Sequence, residues 1–203
     1  MPEIKPTRSE LIGLRRKIKL AKGGHSLLKR KRDGLIKEFF DVLEEAKKSS
    51  ADLYRKHEQA KKAIGLARAV EGTLAVKSAS HALKQRPAVE VKTRNVMGVV
   101  VPAITYEKVS KPFYDRGYGT IGTTAQLDEA AESYEEVLDS VIIAAEIETT
   151  LKKLLVEIDK TKRRVNALEF AVIPRLEKDA KFIQLRLEEM ERENVFRLKR
   201  MKD

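Results

Sequence analysis

The chain has no cysteine, so neither a disulfide framework nor a thiolate metal site is possible and packing alone must hold the fold. There is no tryptophan, and aromatic residues make up only 5% of the sequence. Six prolines and ten glycines leave two long stretches almost uninterrupted. No apolar run approaches the roughly 18 residues of a membrane-spanning helix. The first residues, Met1-Pro2-Glu3-Ile4-Lys5, lack the apolar centre of a secretory signal. These absences predict a soluble, cytoplasmic chain. No G-x-x-x-x-G-K-[ST] occurs, which excludes the usual phosphate cradle of a nucleotide-binding loop.

What is present is charge. Asp, Glu, Lys and Arg make up 36% of the 203 residues, with a formal net charge of +11. A composition this rich in Ala, Glu, Lys, Leu and Arg reads as long helix or coiled coil. The charge is unevenly spread: residues 1–35 carry a net +8, 36–126 a net +6, 127–159 a net −8 and 160–203 a net +5. Basic outer segments and an acidic inner block suit internal pairing as well as an outside partner.

Thr7-Arg8-Ser9-Glu10 has the T-x-x-E pattern of a capping box, which predicts a helix start. From Leu11 a strict alternation of three- and four-residue steps passes through Leu14, Ile18, Ala21, His25, Leu28, Arg32, Leu35, Phe39, Val42, Ala46, Ser49, Leu53, Lys56, Ala60, Ala63, Ala67, Val70 and Leu74. Fifteen of these nineteen positions are apolar. That rhythm is a coiled-coil seam, because it keeps one stripe turned to a partner helix. The predicted helix covers 7–75 and is roughly 100 Å long.

A second helix is predicted over 123–203, opened by the T-x-x-Q of Thr123-Thr124-Ala125-Gln126. Its apolar face runs through Leu127, Ala130, Tyr134, Val137, Val141, Ala144, Leu151, Leu155, Ile158, Val165, Leu168, Val172, Leu176, Ile183, Leu187, Met190 and Leu198, with four-residue steps that mark stutters. Pro174 is expected to bend this helix without ending it.

Two helices of matched length in one chain predict an antiparallel hairpin of helices, with facing residue numbers totalling about 201. In that register the acidic block lies along 42–74, where residues 47–68 hold seven Lys/Arg and two Asp/Glu. Arg32 is then placed to reach Glu169, and Lys56 to reach Glu146 or Glu148.

The middle segment, 76–122, breaks the helical pattern. Ala88-Val89-Glu90-Val91-Lys92 alternates at period two, and Val96-Met97-Gly98-Val99-Val100-Val101 is a β-branched run. Together they predict a small β-hairpin over about 88–101, turning at Thr93-Arg94-Asn95. Pro102, Pro112 and glycines 117, 119 and 122 predict an irregular return. The fold class is therefore all-α dominated: one elongated domain over 1–203, a long antiparallel two-helix coiled coil with a small β-hairpin and an irregular middle.

Gly117-Tyr118-Gly119-Thr120-Ile121-Gly122 matches G-x-G-x-x-G, but no parallel βαβ pattern surrounds it, so it reads as a loop. His25, His57 and His81 are too far apart to converge on a metal, and no cofactor is expected. The basic clusters Lys29-Arg30-Lys31-Arg32 and Lys162-Arg163-Arg164 leave three readings open: nucleic-acid backbone binding, a protein collar with acidic or carbonyl groups, or solubility.

Pro6-Thr7-Arg8 with Leu11 and Arg15-Arg16-Lys17, Leu27-Leu28-Lys29-Arg30-Lys31-Arg32-Asp33, Lys162 to Glu169, Val172-Ile173-Pro174-Arg175-Leu176 and Glu191 to Arg200 together resemble the terminal signatures of the D subunits of archaeal-type and vacuolar-type rotary ATPases. The resemblance covers nearly the whole chain. It implies a non-catalytic rotor shaft, part of the central stalk, that couples ATP synthesis or hydrolysis to proton or sodium transport. It also implies partners: catalytic A and non-catalytic B subunits around the shaft, an F subunit beside it, and a C subunit (d-type) leading to the membrane rotor ring. The implied location is a peripheral complex on the cytoplasmic face of the membrane, with no nucleic acid and no membrane insertion. The other reading is a basic coiled-coil scaffold that binds nucleic acid or other proteins. For the shaft, Arg15, Arg16, Lys29, Arg30, Lys31, Arg163, Arg164 and Arg175 are the residues expected to face the A/B ring, and the hairpin a candidate contact for the F subunit. The expected seam comprises Leu11, Leu14, Ile18, Leu28, Leu35, Phe39, Val42, Leu53, Val141, Leu155, Ile158, Val165, Leu168, Val172 and Leu176.

Overall fold

A computed structural model describes residues 6–82, 88–107, 116–119 and 123–202. In chain order the elements are α1 (Arg8–Glu71), α2 (Thr73–Ala82), β1 (Val89–Val96), β2 (Val99–Tyr106), α3 (Ala125–Ala167), a five-residue π-helix (Leu168–Val172) and α4 (Ile173–Arg200). The fold is helical apart from one two-stranded antiparallel sheet. The chain forms two compact units: residues 1–36 with 157–203, and residues 37–156. Of the expected irregular return, Pro112 and residues 120–122 lie outside the described residues.

Thr7 caps α1 as the sequence predicts: its Oγ1 accepts the Glu10 amide at 3.2 Å, satisfying one of the donors a helix start leaves open. The helix stops at Glu71, short of the expected residue 75. Gly72 takes the left-handed conformation at φ +85°, open to glycine because it has no Cβ, and its amide bonds Arg68 O at 3.0 Å. Val70 in the last turn of α1 and Leu74 past the closure, the last two steps of the 3-4 stripe, are 59% and 84% exposed. The other seventeen positions of the stripe, Leu11 to Ala67, are all buried or half-buried. Among them Leu14, Leu35, Ala60 and Ala67 are buried, and Ile18, Leu28, Phe39, Val42 and Leu53 are half-buried.

The expected face of the second helix needs correction at five positions, of which Met190 and Leu198, near its end, are 40% and 67% exposed. Val141, Leu155 and Val172 are 42%, 49% and 41% exposed. Their neighbours Ser140 and Leu154 are buried, and Ile173 is half-buried. Apolarity misled the reading, because this face includes small polar residues: Ser140, Thr150 and Thr161 are buried. The Ser140 hydroxyl donates to Glu136 O at 3.0 Å, so the helix itself satisfies it. Val165 is buried, while Ile158, Leu168 and Leu176 are half-buried.

The π-helix explains the shift at Val172. Pro174 has no amide hydrogen, and its ring would meet the carbonyl four residues back in a regular helix. The chain responds by widening one turn: Ile173 N–H bonds Leu168 O, five residues back. The sheltered face therefore steps five residues, from Leu168 to Ile173, and Val172 swings out. Pro174 does not end the helical run, which continues as α4 to Arg200.

In the first unit the helices run antiparallel. Arg8 pairs with Glu191, Arg15 Nη2 donates to Gln184 Oε1 at 3.4 Å, and Lys22 Nζ lies 2.7 Å from Glu177. All three pairs total 199. Within the π-helix, Glu169 Oε2 lies 3.4 Å from His25 Nε2, a total of 194, and past it Glu157 lies 3.7 Å from Lys31, a total of 188. The pairs do not keep the single predicted total of 201, and neither predicted cross-helix pair forms. Arg32 instead bonds its neighbour Asp33 at 2.8 Å, and His25 meets Glu169. In the second unit, Lys56 donates to Ser140 Oγ at 2.9 Å and pairs with Asp52 at 3.3 Å. Glu146 accepts the Ile104 amide at 3.2 Å, and Glu148 pairs with Lys152.

The hairpin extends further than expected, and its turn is Met97–Gly98 rather than Thr93–Asn95. The pairing runs from Val96↔Val99 to Val89↔Tyr106. Both turn residues have positive φ, +50° and +85°, the backbone that matches the twist of a two-residue hairpin. Asn95 Oδ1 accepts the Gly98 amide at 2.8 Å and supports the turn from the strand side. Pro102 lies within β2, opposite Thr93.

The start of α3 is capped from a distance. Thr124, not Thr123, borders the helix; its amide and hydroxyl both donate to Glu71 Oε1, the hydroxyl at 2.7 Å. Thr123 donates instead to Gly119 O at 3.1 Å. Ala67, Val76, Leu127 and Ala130 form a small buried cluster beside this junction, with Tyr118 packed against it. Arg116, 7% exposed, holds both oxygens of Glu135 at 3.1 and 3.2 Å and Asp128 O at 3.1 Å. Burial, with the bond to Asp128, raises the Tyr118 hydroxyl above its ordinary pKa.

Two outcomes follow. Glu71→Ala removes a cap and is expected to cost about 1 kcal/mol of unfolding free energy in urea titration, with faster amide exchange confined to the first turn of α3. Arg116→Ala leaves Glu135 without its fork and is expected to cost about 3 kcal/mol, the low end for breaking a buried pair, since Asp128 stays partly solvated. A cost under about 1 kcal/mol in the same titration would remove the bond network from the account of this junction.

Candidate functional site: the basic surface of the terminal unit

The unit built from residues 1–36 and 157–203 carries the two segments with the highest net positive charge per residue. Six of its eleven described carboxylates are in ion pairs. Glu191, Glu177 and Glu169 bridge to α1, Glu157 lies 3.7 Å from Lys31 and 4.0 Å from Lys160, Asp33 holds Arg32, and Glu189 holds Arg186 at 2.9 Å. The bridges fix the two strands of the helix pair against each other at the surface and leave an excess of cations.

Seven of the eight predicted cations, Arg15, Arg16, Lys29, Arg30, Arg163, Arg164 and Arg175, are exposed, and Lys31 is half-buried. Arg15 bonds Gln184 and Lys31 pairs with Glu157. Among the described residues Arg16, Lys29, Arg30, Arg163, Arg164 and Arg175 have no ion pair. The cross-helix contacts also set their levels. His25–Glu169 and Lys31–Glu157 bracket one stretch of the pair, which holds Lys29 and Arg30 on α1 and Arg163 and Arg164 on α3. Arg175 lies near Glu177 and hence level with Lys22, and Arg15 and Arg16 lie level with Gln184. The structure thus places 29–31 and 163–164 in one cationic stretch of the pair and keeps Arg15, Arg16 and Arg175 at other levels.

Unpaired guanidinium groups on a rigid helix surface bind carboxylates and carbonyl oxygens in fixed directions, and no proton transfer is needed. Large apolar side chains accompany them, which the seam pattern does not include. Leu20, Leu27, Phe170 and Phe196 are 78%, 68%, 74% and 69% exposed. The signal was present in the sequence: each is a large apolar residue outside the 3-4 progression of its helix. Among the described residues no group of His, Asp and Glu could hold a metal ion, and no helix is long and apolar enough to cross a membrane.

Known proteins share this sequence over its length. The family model of the ATP synthase D subunit matches residues 10–203. The D subunit of the A-type ATP synthase of Methanococcoides burtonii is 58% identical over 200 residues, covering 98% of this chain and 97% of that protein. The protein of the same name from Methanosarcina acetivorans is 56% identical, covering 98% and 96%. That of Archaeoglobus fulgidus is 54% identical over 203 residues, covering 100% and 97%. With a family match over almost every residue and identities above one half from end to end, the chain belongs to the family of ATP synthase D subunits.

Proposed function

We propose that the chain is the central rotor shaft of an A-type ATP synthase, transmitting torque between a hexamer of catalytic A and non-catalytic B subunits and the membrane rotor ring. The F subunit flanks the shaft and the C subunit (d-type) joins it to the ring, so the chain belongs to a peripheral complex on the cytoplasmic face of the membrane. It contributes no catalytic residue of its own. The observation that carries this reading is the band of unpaired cations at 29–30 and 163–164 on an antiparallel helix pair, in a chain of this family. The resemblance implies a collar around the terminal unit, and a cationic band on a shaft fits acidic or carbonyl groups lining such a collar.

The mechanism needs asymmetry and weak contacts. A helix pair is not circular in section, so its charged band meets different subunits of a surrounding ring at each angle. Each solvated charge contact is worth about 1 kcal/mol or less. Several together are enough to favour one nucleotide-binding interface over its neighbours, and none is strong enough to hold the shaft still. Dry, tightly paired charges would act as brakes. Arg15, Arg16, Lys31 and Arg175 extend the same surface to other levels, and the β-hairpin is the proposed contact for the F subunit.

The test is reconstitution with A and B subunits, reading ATP turnover and rotation. Reversing the band with Arg163→Glu and Arg164→Glu is expected to cut rotation-coupled turnover at least fivefold. The melting temperature of the free chain should move by only a few degrees, because both side chains are exposed and unpaired. Unchanged turnover, or a loss of turnover matched by a collapse in melting temperature, would sink the assignment of this band. Failure of the wild-type chain to support turnover with A and B would sink the shaft reading itself.

A further inference from the structure

The terminal unit is unevenly packed along its length. Leu14 on α1 and Ile183 on α4 are buried at 6% and 0% exposure, and Leu35 and Val165 at 0% and 1%. Between these two layers, residues 15–34 and 166–182 include not one buried residue. Cross-helix ties in this interval include Lys22–Glu177 at 2.7 Å and His25–Glu169 at 3.4 Å, both with half-exposed carboxylates.

Two backbone weaknesses fall in the same interval, one on each strand of the pair. On α1, Gly23 and Gly24 sit mid-helix, where glycine is the least favourable residue after proline. Close packing does not require them, since a Cβ at either position would meet nothing within 4 Å. On the opposite strand lies the π-helix Leu168–Val172, followed by Pro174. A π turn is wider than an α turn and its extra residue can shift along the helix. The contacts of Lys22 and His25 place the glycine pair level with 169–177, so the two weaknesses coincide in height.

We infer that Gly23–Gly24 and the π-helix form a compliant joint within the terminal unit, where the helix pair twists and bends between two firmly packed layers. A mid-helix glycine pair lowers the cost of bending α1. The π turn lets the other strand gain or lose length locally without breaking its hydrogen bonds, so the pair stays continuous while it deforms. The salt bridges at this level have flexible stems and tolerate the motion, which a buried apolar layer would resist. In the shaft reading this joint lies where the load is applied and gives the shaft elasticity, a consequence that rests on that reading; the joint itself does not.

The experiment uses the isolated full chain, which has no cysteine of its own, so spin labels at Lys162→Cys and Lys181→Cys report only the π-helix strand. Gly23→Ala with Gly24→Ala on the facing helix is expected to narrow the label-to-label distance distribution about twofold. Amide exchange over 168–174 should slow at least fivefold. Gly65→Ala is the control: it is another α1 glycine with nothing within 4 Å of a Cβ, and it lies in the other unit. Exchange and distances on the π-helix strand that stay unchanged while α1 amides slow would overturn the inference, because the glycines would then weaken only their own helix. The same narrowing from Gly65→Ala would also overturn it, as general stiffening of α1. No other protein of the complex is present in this measurement, so its failure is separate from failure of the shaft reading.

Discussion

Everything in this molecule depends on a stripe one residue wide. In each unit two helices meet along a row that advances by three and four residues. Each layer of that row contributes little buried area, so stability accumulates only if the layers stay in step over many turns. A slip of a few residues would set Lys56 against apolar groups and strip Ser140 of its partner. The features away from the stripe serve this need. Glu71 ties the end of α1 to the start of α3, the cross-helix bridges of the terminal unit pin the two strands, and buried hydroxyls at 140, 150 and 161 make some layers unlike their neighbours.

How much of this was legible in the sequence varied with the range of the interactions. The rhythm of α1 was visible as far as Ala67, because seam spacing is local and repeats over many turns. Its cap at Thr7 was visible for the same reason. The second helical run was harder: Ser140, Thr150 and Thr161 are polar by composition yet buried by position, so counting apolar residues shifted the face onto Val141 and Leu155. The replacement of Thr123 by Thr124 at the start of α3 depends on Glu71, fifty-three residues away, which no local pattern carries. Pro174 announced an irregularity, but whether a proline yields a kink, a break or a wide turn depends on what the partner helix allows.

Register was the costliest miss, and its cause is specific. A single total for facing residues assumes that both helices advance at the same rate. In the terminal unit the totals fall from 199 at Lys22–Glu177 to 194 at His25–Glu169 and 188 at Lys31–Glu157, more than the one residue a π turn inserts, because long side chains also reach up and down their helices. The uniform register therefore paired Arg32 with Glu169, while in the fold Arg32 turns to Asp33 and His25 takes its place. The cationic surface survived this error because exposure, unlike pairing, tolerates a shift of one turn. Lys29, Arg30, Arg163 and Arg164 needed only to lie outward and within one stretch of the pair.

The small sheet has a further property. A two-stranded ribbon has two open edges, and an open edge invites strands from other molecules. On β2 the Ile104 amide points away from β1 and is held by Glu146, and alternation sends the Pro102 nitrogen, which carries no hydrogen, the same way. Two successive outward positions thus offer no free N–H to an incoming strand. On β1 the exposed Glu90, Lys92 and Arg94 place charge where a neighbouring molecule would have to bury it. Crowded copies of this protein should therefore stay apart at their ribbons, and the risk of fibrous self-association is low at the open sheet edges of the described residues.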